Sequence, residues 1–175
     1  HPRDRRQRQM CIRDSKIIEL SGIGPGPLCG MLFADLGAEV IRIDRKNTVM
    51  PNQQAKYDIT GRSKKSICLN LKDPNSKDVL FKLIKNADAL IEGFRPGVTE
   101  KLGIGPDDCL KHNEKLVYGR ITGWGQSGPL AQAAGHDINY IALWCPLFNM
   151  GRKQTINTIK PYWRLWWWDN VPCLS

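Results

Sequence analysis

Apolar positions from Lys16 onward fall into short runs separated by glycine, proline and charge. KIIEL at Lys16–Leu20 predicts a strand. SGIGPGP then turns the chain, and Leu28 to Leu36 carries helical character, with Pro27 at the first helical position. After Gly37, EVIRI at Glu39–Ile43 predicts a second strand, closed by Asp44-Arg45. Ser66 to Leu71 reads as a third strand, ended by Pro74. The next stretch, Ser76 to Asn86, puts Val79, Leu80, Leu83 and Ile84 on one helical face. Ala87 to Ile91 predicts another strand, entering the turn EGFRPGV, and Val98 to Leu102 continues as a helix. GPDDCLKHNEKL is a further helical or connecting piece rich in charge, where His112 is expected at the surface. A last strand over Val117 to Ile121 leads to a glycine-rich loop and to HDINYIAL, whose Ile138, Ile141 and Ala142 have helical spacing. The alternation predicts an α/β domain: a Rossmann-like, mainly parallel sheet with flanking helices.

Such a sheet binds ligands at the carboxyl ends of its strands, so the turns there are the places to look for chemistry. Gly22, Gly24 and Gly26 do not match GxGxxG, although Asp44 lies about 20 residues on, where a dinucleotide enzyme holds a ribose hydroxyl. Two prolines in the turn and a cation directly after the acid weigh against that reading. Residues 46–60 are polar and aperiodic, a loop long enough to suggest function. Arg62, Lys64 and Lys65 precede the third strand, where they could hold phosphate or form a solvated turn; sequence alone favours the turn. At EGFRPGV, Gly93 and Pro96-Gly97 bring backbone and Arg95 to the sheet edge.

The stretch GWGQSGP, followed by AGHDINYIAL, has the layout of a site. Its glycines let backbone N–H groups approach a ligand. His136 falls in a first helical turn, where the macrodipole disfavours imidazolium, so it is a candidate for proton transfer. It could equally cap or pack the helix. Asp137 has the same alternative, and it points about 100° away from His136 around the axis, as a cap or orienter rather than a second acid.

GWGQSGP with GHDINY resembles the α-methylacyl-CoA racemase branch of the family III CoA-transferases. FRPGV supports the same superfamily without separating racemase from transferase. The resemblance covers about residues 16–153 and implies an incomplete N-terminal part of that family's fold. It implies racemisation of 2-methylacyl-CoA thioesters through an enolate, with His136 as one proton-transfer group. Coenzyme A enters as part of the acyl-CoA substrate, with no permanently bound cofactor and no metal. Coenzyme contacts are implied for Arg45, for Leu69, Asn70, Leu71 and Lys72 (the family's LDLK stretch), for Arg95, and for Gly135, Asp137, Ile138, Asn139 and Tyr140. Asn70 stands where the family has Asp, which removes any contact needing a carboxylate there. Full-length members form interlocked homodimers, and they occur in mitochondria and peroxisomes or in bacterial cytoplasm. A CoA-transferase of the same fold, and a non-enzymatic nucleotide- or RNA-binding domain, stay as alternatives.

The charge of +9 divides unevenly: +3 over residues 1–15, +1 over 154–175 and +5 between, an ordinary excess for a domain handling an anionic ligand. No nucleic-acid or membrane partner is expected, and no run reaches the ~18 apolar residues of a membrane helix. The six cysteines are scattered without a CxxC pair, which suggests neither zinc nor a disulfide scaffold. Residues 1–15, dense in arginine and without periodicity, read as an artefactual or disordered leader. Five of the six tryptophans lie between Trp144 and Trp168 without helix or strand period. Trp166-Trp167-Trp168 must be encoded TGGTGGTGG, which becomes a glycine run in the next frame. Thr158 to Leu174 can be back-translated so that the shifted frame reads PLNLIGDFGGGIMCLV, close to the family's PLNL..DFGGG segment. Residues 154–175 therefore read as a frameshifted tail. The partner Asp of the acid/base pair, whose codon would lie across Arg164 and Leu165, is missing from this frame, and the chain is expected to be inactive.

Overall fold

The computed structural model describes residues 12–45, 58–136, 139–140 and 143. The expectations for residues 1–11, the loop 46–57, Asp137, Ile138 and the tail 154–175 lie outside them. The chain divides into two compact units, residues 1–133 and residues 134–175.

In the first unit five strands form one parallel sheet: β1 (Lys16–Leu20), β2 (Glu39–Asp44), β3 (Lys65–Cys68), β4 (Ala89–Glu92) and β5 (Val117–Arg120). Their order is β3-β2-β1-β4-β5. Chain order reverses between β1 and β4, so the carboxyl ends of those strands flank a topological switch point. β1 is central and buried from Ile17 to Leu20, as expected for a strand covered on both faces. Its side chains alternate. Ile18 and Leu20 join a cluster with Leu90, Leu80, Ile84 and Ile104, while Ile17 joins Val40, Ile91, Ala34 and Ala38 on the other face.

The helices supplying those faces are α1 (Pro25–Asp35), α2 (Pro74–Ile84), α3 (Val98–Lys101) and α4 (Pro106–His112). α2 buries Leu80 and Ile84, with Val79 and Leu83 packed beside them, the face expected from its spacing. His112 is exposed and stacks on Phe81 at 4.1 Å.

Three boundaries differ from the sequence reading. α1 starts at Pro25, so Pro27 is its third residue; Gly24, at φ 78°, turns the chain sharply enough for the helix to begin at the first proline. β3 stops at Cys68 because its neighbour ends at the paired Asp44; Leu69 and Leu71 then turn into the core. Residues 12–15 are not all outside the fold: Ile12 packs on the second cluster, and the Ser15 carbonyl accepts the Glu39 N–H at 2.9 Å.

Candidate functional site

The carboxyl edge of the sheet collects the turns that follow β1, β2, β3 and β4. At the first, α1 has Pro25 and Pro27 within its opening three positions, leaving Gly26 as the only N–H donor among them. A dinucleotide site relies on several such donors around its pyrophosphate. Asp44 is also committed: it accepts from Arg42 Nε at 3.0 Å, and Arg42 reaches Asp58 at 2.6 Å. Neither feature suits a nicotinamide dinucleotide.

Arg45 follows β2 and lays its guanidinium over the Phe94 ring, 5.3 Å from the centroid. Phe94 belongs to the turn after β4, so this contact spans the switch point. The Leu69–Lys72 stretch divides its labour: Leu69 and Leu71 are core residues, whereas Asn70 and Lys72 are exposed. A tight turn holds them, with the Asp73 N–H on the Asn70 carbonyl at 2.8 Å and the Lys72 N–H on Asn70 Oδ1 at 3.3 Å. Only the backbone and the side chains of Asn70 and Lys72 are therefore offered to a ligand there. Arg95 is exposed beside Phe94. Among the described residues neither Lys72 nor Arg95 forms an ion pair. An edge carrying Arg45, Lys72 and Arg95 suits a ligand with several phosphate charges.

The cations before β3 are placed differently. Lys64 is buried against Glu19 at 2.6 Å and donates to the Pro27 carbonyl at 2.8 Å; Arg62 pairs with Asp35, and Lys65 with Glu39. Sequence reasoning offered these three a phosphate or a solvated turn, and each has a carboxylate instead.

After β5 the loop through Gly123–Gly128 is largely exposed, with Gly125 at φ 82° and Gly128 at φ 101°. Side chains rarely adopt that conformation, so the glycines are required by the turn itself. Sequence reasoning missed the groups beneath this loop, Glu92 and Arg120. Glu92 is buried, and desolvation pushes its carboxyl above the ordinary value, with the Phe94 N–H and Arg120 pulling it partly back.

In the second unit His136 is exposed and Gly135 half-buried. The His136 carbonyl accepts the Asn139 N–H at 2.9 Å and the Tyr140 N–H at 3.3 Å, while the His136 N–H donates to Asn139 Oδ1 at 3.1 Å. His136 is itself not helical, and its backbone N–H and carbonyl are bonded to Asn139 and Tyr140, which are. Asn139, which is exposed, engages its Oδ1 with the His136 N–H, and Tyr140 is half-buried.

The sequence family described as CoA-transferase family III matches residues 12–167. The chain is 45% identical over 146 residues to the human alpha-methylacyl-CoA racemase, covering 82% of this chain and 36% of that protein. It is 35% identical over 130 residues to the acetyl-CoA:oxalate CoA-transferase of Acetobacter aceti, covering 69% of this chain and 33% of the other. The crystal structure of Rv3272 from Mycobacterium tuberculosis superposes with a TM-score of 0.71 at 32% identity, over 84% of this chain and 44% of that one. The chain thus spans about a third of the length of the curated relatives it matches.

Proposed function

Because the chain belongs to CoA-transferase family III, we propose that it is the coenzyme-A-handling part of an enzyme that racemises 2-methylacyl-CoA thioesters. We assign the coenzyme's phosphates to the edge carrying Arg45, Lys72 and Arg95, and the proton transfer to His136. The proton beside the thioester carbonyl leaves to one group, and another returns a proton to the opposite face. The developing enolate oxygen needs donors, which we assign to backbone N–H groups of the glycine-rich stretch.

The observation that carries this reading is His136, an exposed histidine whose backbone is bonded to Asn139 and Tyr140, in a chain 45% identical to a racemase. A CoA-transferase is the second reading, supported by the 35% identity to the Acetobacter enzyme; it would use a carboxylate nucleophile and exchange acids rather than protons. In either case this chain lacks the second group expected from the shifted frame, and we infer that it is inactive alone.

Deuterium uptake from heavy water into a 2-methylacyl-CoA tests the assignment. This chain should give none. A protein restored in frame through DFGGG should exchange the α-proton, and His136→Ala should slow that exchange by about 10²-fold or more. Exchange by the present chain that is lost in His136→Ala would overturn the inactivity. CoA transfer without proton exchange by the restored protein would favour the second reading.

A further inference from the structure

The turns after β4 and β5 both reach the carboxyl edge, and one arginine joins them. Arg120, the last residue of β5, donates from one terminal nitrogen to Gln126 Oε1 at 2.8 Å and from the other to Glu100 in α3. Its Nε lies 3.5 Å from Glu92 Oε1, and its guanidinium stands 5.4 Å from the Tyr118 ring centroid. Glu92, the last residue of β4, accepts the Phe94 N–H at 2.6 Å. Beyond the loop, Gln132 Nε2 donates to the Pro96 carbonyl at 3.3 Å. Hydrogen bonds and one ion pair, that between Glu92 and Arg120, therefore link the turn that carries Arg95 to the middle of the Gly123–Gly128 loop.

A loop with two left-handed glycines has much conformational freedom to lose when it meets a ligand. Ordering it beforehand lowers that cost, which is how preorganisation raises affinity. Arg120 is suited to the task because a planar guanidinium can hydrogen-bond Gln126 and Glu100 in fixed directions while its Nε faces the Glu92 carboxylate as an ion pair, which a lysine ammonium on a flexible stem does not do. We propose that Arg120 is a positioning residue: a clasp, closed on Gln126, Glu100 and Glu92, that holds the Gly123–Gly128 loop beside the Phe94–Gly97 turn so that both meet the same coenzyme A. The ligand half of this proposal rests on the coenzyme A reading above.

Two measurements on the 175-residue chain separate the clasp from that reading. Backbone 15N relaxation without ligand reads the loop directly. In the parent chain the order parameters of residues 123–128 should stand near the rigid value of about 0.85; in Gln126→Ala and Arg120→Lys they should fall toward about 0.6. Titration with coenzyme A should then show affinity about tenfold weaker in both variants, with the melting temperature of Gln126→Ala unchanged. Because Gln126 is exposed, that variant keeps the test alive if Arg120→Lys folds poorly. Unchanged order parameters in Gln126→Ala would overturn the clasp. A loosened loop with undiminished coenzyme affinity would overturn its positioning role. If the parent chain itself binds no coenzyme A, the coenzyme reading fails, while the order parameters still decide the clasp.

Discussion

Two sets of three cations sit on this domain, and they have opposite fates. Arg62, Lys64 and Lys65 enter β3, and each closes on a carboxylate 26 to 45 residues away. Arg45, Lys72 and Arg95 follow strands at the carboxyl edge, where Arg45 lies on an aromatic ring and Lys72 and Arg95 form no ion pair among the described residues. Residue type does not distinguish Lys72 and Arg95 from the first set; a carboxylate partner does. Lys64 is the extreme case. Its side chain is 1% exposed and that of Glu19 0%, and burial pushes the Glu19 carboxyl upward, with Lys64 drawing it partly back. Room for the pair comes from Gly30, where a Cβ would lie 1.8 Å from Glu19 Oε2. Lys72 and Arg95 stay open to a ligand because no described carboxylate pairs with them.

Breaking the buried pair should have the largest effect. Glu19→Gln or Lys64→Met alone leaves one charge enclosed without compensation, at a cost of about 3–5 kcal/mol. The double variant should recover much of that loss, because neither charge then remains buried. Urea unfolding of the four proteins checks this. Single variants within about 1 kcal/mol of the parent would show that the pair is not sealed from water.

The next effect sharpens the contrast at the ligand. Arg95→Gln and Lys72→Gln should each weaken coenzyme A binding by about tenfold, or about 1.4 kcal/mol, with stability held within about 0.5 kcal/mol. Arg62→Ala and Lys65→Ala remove exposed ion pairs, so each should cost less than about 1 kcal/mol of stability and leave coenzyme affinity unchanged. Calorimetric titration with coenzyme A, run beside denaturation, separates the two sets. Equal losses of affinity from both would dissolve the distinction.

The elements were largely legible because their signals are local. β1 reads from a short, largely apolar run, α2 from a four-residue face, and the FRPG turn from its glycine and proline. Strand ends were less legible, since β3 stops where β2 offers no further partner, a fact about pairing rather than composition. At the site, Arg45 and the exposed half of Leu69–Lys72 emerge at the edge where the strand order places ligands. The buried charges were missed. A lone Glu inside KIIEL and another closing ALIE were visible signals, since an acid in an apolar strand demands a partner. Which partner it finds, Lys64 or Arg120, depends on elements far along the chain.

The smallest expected effect concerns how Lys64 comes to point inward at all. Ser63, directly before it, is the single non-glycine residue with positive φ among the described residues, at 60°. A left-handed turn at this place sends Lys64 under α1 toward Glu19 and Pro27, rather than along the solvated path taken by Arg62 and Lys65. The conformation costs an L-residue roughly 1 kcal/mol. Ser63→Gly removes that cost but gives the unfolded chain more freedom, so the net gain should be no more than about 0.5 kcal/mol. Ser63→Val should lose more than 1 kcal/mol, on the order of the penalty for a β-branched side chain in this region. Urea midpoints for the two variants read the difference. A valine tolerated without loss would mean that the turn does not aim Lys64, and that its pairing with Glu19 draws the chain inward instead.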